Sequence, residues 1–418
     1  MQQSMVVALA GMAMPIRSFS ADAPVKVAVI GTGGRGTDLI RRLSTIERAE
    51  IVAVCDNYEP HLSRAGEAAG PQAQRFDDYK KMLKQAKPDA VVIAAPLYLH
   101  FEMSKAAIKA GCAVFCEKTM TYSTEEAKEL VALVGKHNTV FQVGLQRRAS
   151  AIYRQGLSMV EQGLLGDIYS IKCQWHRNND WRRPVPVGRD HADWQKLEHH
   201  LNWRLYWPYS QGLMSELGAH QMDVVYWALK TKPKRVLASG GIDYWRDGRE
   251  VFDNVYSIFE YEMTPKTGKP YTTRVTYSSI QSNAYEGASE LLMGTKGTLL
   301  LTEGAGLFYQ EAGVEKIEWN KDENADQEAK AEQDASVITS GKTLNLSNNP
   351  WAHRGKPHEI SSDSNSTRDQ LIAFLDCVQR RDPKTICDVE TGLINSATIL
   401  IANQAMKEGR TVEFPADV

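Results

Sequence analysis

The sequence predicts an α/β domain on a parallel sheet over residues 25–146, followed by an α+β domain with a mainly antiparallel sheet over residues 147–418. Three observations predict this. The chain has 418 residues, more than one ordinary domain holds. In the first part, short and almost wholly apolar runs alternate with helical segments, the pattern of a parallel sheet covered on both faces. After about residue 150 the strands alternate apolar and polar positions between turn signals, the pattern of an antiparallel sheet.

The first strand is Val25–Ile30, which runs into a glycine-rich loop, and Thr37–Ile46 follows as a helix. Glu50–Cys55 is a second strand ending at Asp56, and Leu62–Ala69 is helical. Asp89–Ala95 is a third buried strand, bounded by Pro96, and His100–Ala110 is a helix. Ala113–Cys116 is another strand, Thr124–His137 a helix, and Thr139–Val143 the last strand of this part. Ile168–His176 then alternates as a half-buried strand should. Residues 177–211 are irregular and rich in Trp, Arg, His and Pro, and Met214–Leu229 reads as a helix. Several strands lie between Lys234 and Leu301, separated by signals such as Arg246-Asp247-Gly248 and Thr267-Gly268. Residues 321–350 are a polar, low-complexity surface excursion, and Thr367–Arg380 and Thr391–Lys407 are two amphipathic helices.

Hydrophobic residues make up 43% and charged residues 24% of the chain, with a formal net charge of -2. This is a globular composition that gives no reason to expect nucleic acid or an anionic membrane as partner. The cysteines Cys55, Cys112, Cys116, Cys173, Cys377 and Cys387 contain no CxxC pair and read as ordinary thiols. A Cys377–Cys387 disulfide has no support in the sequence. His191, Asp193, Glu198, His199 and His200 lack the spacing of a rigid ligand pair, so no metal is expected. Residues 1–24 stand apart. Ser4–Pro15 is an apolar run too short to span a bilayer, and the small residues Ser18, Ser20, Ala21 and Ala23 follow it. This resembles an export signal, which implies a periplasmic or exported protein, although no basic residue precedes the run. A basic segment upstream of this start would account for that. A mobile tail on a cytoplasmic protein is the alternative.

Gly31, Gly33 and Gly36 form a GxGxxG loop that follows a strand and opens a helix, with Gly34 and Arg35 inside it. Gly31 permits the tight turn, Gly33 lets the backbone approach a pyrophosphate, and Gly36 lets helix and strand pack closely. The free N–H groups of the helix start favour phosphate. Asp56, twenty residues after Gly36, is placed to accept from both ribose hydroxyls of NAD and to repel the 2′-phosphate of NADP. Arg35 offers a partial offset, and Asn57 adjoins the acid. The first domain is therefore expected to be a Rossmann domain that binds NAD in preference to NADP.

Ala94-Ala95-Pro96 with His100, Glu117-Lys118 and Glu216…His220 make the resemblance specific: the chain resembles the Gfo/Idh/MocA oxidoreductases, such as glucose–fructose oxidoreductase and inositol dehydrogenase. Asp223, Gly163-Leu-Leu-Gly166, Gly294-Thr-Lys-Gly297 and Phe374–Val378 extend the similarity over nearly the whole chain. Two positions depart from the family pattern. Thr119 stands where members carry proline, and Glu216 where they carry aspartate. The resemblance implies an oxidoreductase acting on a carbohydrate-like small molecule. It adds Ala95, Pro96, His100, Glu117, Lys118 and Gln146 to the cofactor site, and Lys118, Arg147, Trp175, Arg204, Tyr209 and His220 to the substrate site. It also implies a homo-oligomer, a dimer or tetramer, formed through the second domain's sheet.

The chemistry fits those residues. A secondary alcohol loses a hydride to a nicotinamide and a proton to a base, because its hydroxyl is too weakly acidic to ionise unaided. His220 is a suitable base. Lys118, just past a strand end, is placed to hold the reacting oxygen. Glu216 lies one helical turn before His220, where it would orient the imidazole or bind a substrate hydroxyl. Each also has a plainer reading: a structural histidine, a solvated lysine, and a strand-end proline and helix-start histidine at Pro96 and His100. Trp175–Arg183, Trp203-Arg204 and Trp207–Tyr209 supply aromatic faces and donors of the kind that recognise sugars, or that seal an interface. Two other functions fit the same residues. One is a glycosidase that oxidises a sugar carbon, eliminates the aglycone and returns the hydride; the other is a dinucleotide-dependent sensor without catalysis.

Overall fold

The computed structural model describes residues 23–265, 268–311, 313–315, 317 and 357–418. The apolar run at Ser4–Pro15 and the polar stretch 321–350 lie outside the described residues.

The first domain contains β1 (Val25–Ile30), α1 (Gly34–Leu43), β2 (Ala49–Cys55), α2 (Glu59–Ala69), β3 (Gln74–Phe76), α3 (Tyr79–Ala86), β4 (Ala90–Ile93), α4 (His100–Lys109), β5 (Ala113–Glu117), α5 (Thr124–His137) and β6 (Phe141–Gly144). The six strands form one parallel sheet in the order β3-β2-β1-β4-β5-β6. The order reverses between β1 and β4, which opens a crevice beyond the carboxyl ends of those strands. β1 and β4 are buried along almost their whole length because helices cover both faces. α5 starts on a capping box formed by Ser123 and Glu126 and ends at Asn138 in the left-handed conformation.

The periodicity reading omits β3 and α3. β3 is a three-residue edge strand, Gln-Arg-Phe, with little apolar surface to signal it. α3 is set by a local cap, the Asp78 side chain accepting from the Lys81 N–H. α1 also begins three residues earlier than the sequence suggests, directly on the glycine loop.

The second domain contains α6 (Ala151–Glu161), β7 (Ile168–Asn178), α7 (Trp194–Leu201), a π-helical turn (Met214–Gly218), α8 (Ala219–Leu229), β8 (Arg235–Gly241), β9 (Asn254–Met263), β10 (Tyr271–Ile280), β11 (Ser282–Gly294), β12 (Gly297–Leu301), β13 (Gly306–Gln310) and β14 (His358–Ile360). Two helices follow, α9 (Ser366–Arg380) and α10 (Val389–Glu408), then β15 (Val412–Glu413). Nine strands form one sheet in the order β14-β13-β12-β11-β7-β10-β9-β8-β15. Its pairings are antiparallel apart from β7 with β10, where Cys173 lies opposite Tyr277 in a parallel pair. One face buries Ile171, Phe259, Val275 and Leu292 against α6, α8 and α10. The opposite face leaves Leu237, Tyr256 and Ile258 exposed.

α9 does not stay with the second domain. Its apolar residues Leu371, Phe374, Leu375 and Val378 recur at helical spacing, and all four join the core formed by β1 and α1. Phe374 meets Phe115 of β5 at 5.7 Å between ring centroids. The chain therefore returns to the first domain after β14, across the boundary read from the sequence. All six cysteines are free thiols, five of them buried. No helix among the described residues is long and apolar enough to cross a membrane.

Candidate active site

β1 delivers the chain to Gly31, whose φ of +80° and position against Ala95 leave no room for a side chain: a Cβ there would lie 2.5 Å from the Ala95 nitrogen. A Cβ on Gly36 would lie 1.9 Å from the Gly31 oxygen, so this glycine serves helix–strand packing and does not face the groove. Gly33 and Gly34 differ. Within 4 Å a Cβ on Gly33 meets only the His61 ring, at 3.7 Å, and one on Gly34 only the Arg183 guanidinium, at 3.5 Å. No side chain caps α1. The loop therefore offers open backbone and free N–H groups where a diphosphate would lie, and the residues present fit a dinucleotide.

Asp56 stands at the end of β2 and accepts from Thr32 N at 2.7 Å, Thr32 Oγ1 at 3.2 Å and Tyr58 N at 2.9 Å. It thus pins the glycine loop as well as facing the groove. Asn57, Ala95 and Pro96 share that wall. Arg35 faces the groove too, but its guanidinium is taken: Nε meets Glu117 at 2.7 Å and Nη1 meets Asp38 at 3.2 Å. These two acids compete with a 2′-phosphate for the Arg35 charge. His61 is a groove residue that the sequence reading omits, with Nδ1 3.8 Å from Asp56.

The groove continues into a second cavity that shares Arg35, Ala94, Ala95, Arg183, Trp203 and Arg204 with it. Lys118, just past β5, enters this cavity through a cis Lys118–Thr119 peptide. Its ammonium donates to the Glu216 carbonyl at 2.6 Å and the Ser215 carbonyl at 3.3 Å, and Thr119 Oγ1 donates to Ser215 as well at 3.1 Å. Two of three ammonium hydrogens are thus used, and one remains for a ligand oxygen. Burial pulls the lysine below its ordinary value, opposed by Glu216 and Glu117.

His220 opens α8 against Trp175, with ring centroids 5.5 Å apart. Burial, reinforced by the charges of Lys118, Arg147 and Arg35, pushes its pKa well below the ordinary imidazole value. The imidazole is therefore neutral at neutral pH and able to accept a proton. Nδ1 is buried without a hydrogen-bond partner, which leaves Nε2 as the nitrogen facing the cavity.

Glu216 departs from expectation. The chain from Met214 to Gly218 is a π-helical turn, so the spacing to His220 is not that of an ordinary α-helix. The Glu216 carboxylate accepts from Arg204 Nε at 2.8 Å and Ser210 Oγ at 3.3 Å, not from the imidazole. Arg204 lowers its pKa, followed by Lys118, against the effect of burial.

Three further assignments need correction. Arg147 does not line either cavity: it is 2% exposed and its guanidinium is bound to Glu290, which Tyr153 OH also contacts at 2.8 Å. It supports Trp175 from beneath at 5.4 Å. Tyr209 lies outside the cavities, its ring 5.1 Å from that of Tyr98, a residue that does line the groove. His100 borders the second cavity, but its nitrogens face the carbonyls of Thr119 and Ala95, each at 2.9 Å, so it ties β4's end to Lys118's turn. Gln146, expected at the cofactor site, lines the second cavity, with its buried Oε1 lacking a partner.

Residues around the expected Trp175 and Arg204 contribute as well. Arg177, Trp181, Arg183 and Trp203 all line the second cavity. His200 and Leu201 of α7 line the dinucleotide groove as well. Glu198, read as a candidate metal-type residue, is buried between Arg182, Asn202 and Tyr206. Among the described residues no group of three or more His, Cys, Asp or Glu side chains gathers as metal ligands do.

Residues 25–145 match the oxidoreductase family with an NAD-binding Rossmann fold, and residues 158–414 match its C-terminal α/β domain. The chain belongs to the Gfo/Idh/MocA oxidoreductase family. Its first domain is accordingly an NAD-binding Rossmann domain. Among relatives of this Gfo/Idh/MocA protein, glycosyl hydrolase family 109 protein 1 of Akkermansia muciniphila is 33% identical over 155 residues, 34% of this chain and 32% of that protein. D-glucoside 3-dehydrogenase of Escherichia coli is 32% identical over 156 residues, 37% of this chain and 44% of that protein. The chain thus aligns with less than half the length of either relative. The WlbA dehydrogenase of Bordetella pertussis, solved with NADH and UDP-GlcNAcA, shares the fold with a TM-score of 0.66 and 20% identity, covering 94% of this chain and 100% of that one.

Proposed function

We propose that this protein transfers a hydride between NAD and a hydroxyl-bearing carbon of a sugar, polyol or sugar derivative. The observation that carries the reading is a neutral, buried His220 in the same cavity as the Lys118 ammonium, contiguous with the dinucleotide groove. When bound, the nicotinamide supplies the hydride acceptor. Lys118 holds the reacting oxygen and favours its anionic form. His220 Nε2 takes the hydroxyl proton. Trp175 and Trp203 offer faces for the C–H side of a sugar ring. Trp181 lines the same cavity beside them.

One observation favours a second reading. Arg183, His200, Leu201 and Trp203 of the second domain wall the dinucleotide groove. A groove lined from both domains suits an enzyme that keeps its cofactor, returns the hydride and cleaves a glycoside without net NADH. Purified protein, with its dinucleotide identified after release, separates the two when given free sugars and glycosides. Net NADH from free sugars supports the dehydrogenase, and aglycone release at constant NADH supports the glycosidase. Neither product with NAD bound overturns both in favour of a sensor.

The Ser4–Pro15 run supports export, checked by the mature N-terminus of periplasmic protein. The exposed Leu237, Tyr256 and Ile258 on the uncovered sheet face support a homo-oligomer formed there.

A further inference from the structure

The second cavity holds more positive charge than its own carboxylates balance. Of the two acids on its wall, Glu117 is bound by Arg35 and Glu216 by Arg204. Lys118, Arg177 and Arg183 remain. His220 is neutral and adds nothing. Arg183 lies against the glycine loop, 3.5 Å from where a Gly34 Cβ would sit, and the charged groups it feels are the cations Arg204 and Arg64. A diphosphate on the loop would satisfy it. Lys118 is committed to the reacting oxygen. Arg177 has no such use.

Arg177 stands at the end of β7 between two indoles, 5.3 Å from the ring centroids of Trp175 and Trp181. Trp181 adopts φ +61°, rare for an aromatic residue, in a turn closed by Asn179 Oδ1 accepting from Trp181 N at 2.6 Å. Both indoles flank the guanidinium at cation–π distance. Its Nε is buried and has no hydrogen-bond partner. Among the described residues the carboxylate it feels is Glu216, already held by Arg204. A planar five-donor fork, flanked by two aromatic rings and left without an acceptor beside the catalytic pair, matches a carboxylate or phosphate.

We propose that the substrate carries an anionic group, a carboxylate or a phosphate on the sugar, and that Arg177 binds it. This rests on the sugar-oxidoreductase reading and narrows its substrate class. The pairing of Arg177 with that group selects acidic sugars over neutral ones of the same ring.

The test uses NAD-loaded full-length protein and three probes: methyl glucoside, methyl glucuronide and glucose 6-phosphate. Binding is followed by calorimetry and hydride transfer by nicotinamide absorbance, at low and high salt. At least one charged probe should bind about tenfold or more tighter than methyl glucoside, as expected of a charge-assisted fork, and salt should erode the difference. The tighter of the two charged probes distinguishes carboxylate from phosphate. Arg177→Met, which keeps an apolar side chain of similar length between the indoles but removes the charge, should abolish the preference while leaving NAD affinity unchanged, and Arg177→Lys should restore part of it. Methyl glucoside binding as tightly as both charged probes, or a preference that survives in Arg177→Met, overturns the inference. Turnover of neutral sugars alone would leave the sugar-oxidoreductase reading standing and this inference failed. Tight binding of a charged probe that is lost in Arg177→Met, without hydride transfer, would leave Arg177 as an anion site and remove the sugar-oxidoreductase reading together with the substrate assignment. No binding of any probe removes both.

Discussion

His220 and Lys118 face opposite demands in one cavity. The base must stay unprotonated beside an ammonium, and the ammonium must stay charged while largely cut off from water. Burial and the neighbouring cations depress His220, and the carboxylates of Glu216 and Glu117 hold Lys118 up against desolvation. The acid limb of kcat/KM is therefore expected below the ordinary imidazole value and the alkaline limb below the ordinary lysine value, as read in a pH–rate profile. A profile with its acid limb at the value of free imidazole would contradict the assignment. Asp56 has two roles at this scale, since it lines the dinucleotide groove and also holds Thr32. Asp56→Ala should weaken NAD binding and narrow the preference over NADP, measured as two dissociation constants. The glycine loop, Asp56 and Lys118 were legible because each acts within a strand–loop–helix unit whose sequence is contiguous. Arg147 was misread because its partner Glu290 lies 143 residues away, and nothing near Arg147 in sequence announces it.

The elements that place His220 are held by buried charge. Arg148, in the turn after β6, grips Asp223 of α8 in a two-pronged contact, Nε at 2.9 Å and Nη2 at 2.7 Å from Oδ1. Arg147 of the same turn is bound to Glu290 of β11. Glu290→Ala would leave the Arg147 guanidinium buried without its acid, at a cost of about 3–5 kcal/mol in a denaturant melt. Asp223→Ala should lower activity with little change in NAD affinity, because it frees the helix that carries the base. The helix through Glu216 and His220 was legible as an element, but its π-helical opening was not. That opening turns the Ser215 and Glu216 carbonyls to the Lys118 and Thr119 side chains, contacts that cross about a hundred residues of sequence. Trp181 and Arg183 illustrate the same limit: their stretch reads as rich in aromatics and donors, but only the fold shows which ones face the cavity.

The whole molecule joins two sheets by sending α9 back to the first core and by letting the second domain wall the dinucleotide groove. Local periodicity marks α9, whereas α7 falls in a stretch that reads as irregular, and packing partners this distant in sequence are set by the completed fold. The uncovered face of the nine-stranded sheet has its own consequence: Ile258→Arg should shift the protein to a smaller assembly in light scattering while leaving NAD affinity intact. The most direct test of the account is reduction of bound NAD by a turned-over sugar, in wild type, His220→Ala and Lys118→Ala, with NAD affinity measured alongside. The account predicts that wild type reduces the dinucleotide, that each variant slows this by about 10²–10⁴-fold, and that the loss is not explained by cofactor binding. Unchanged reduction rates in both variants would contradict it.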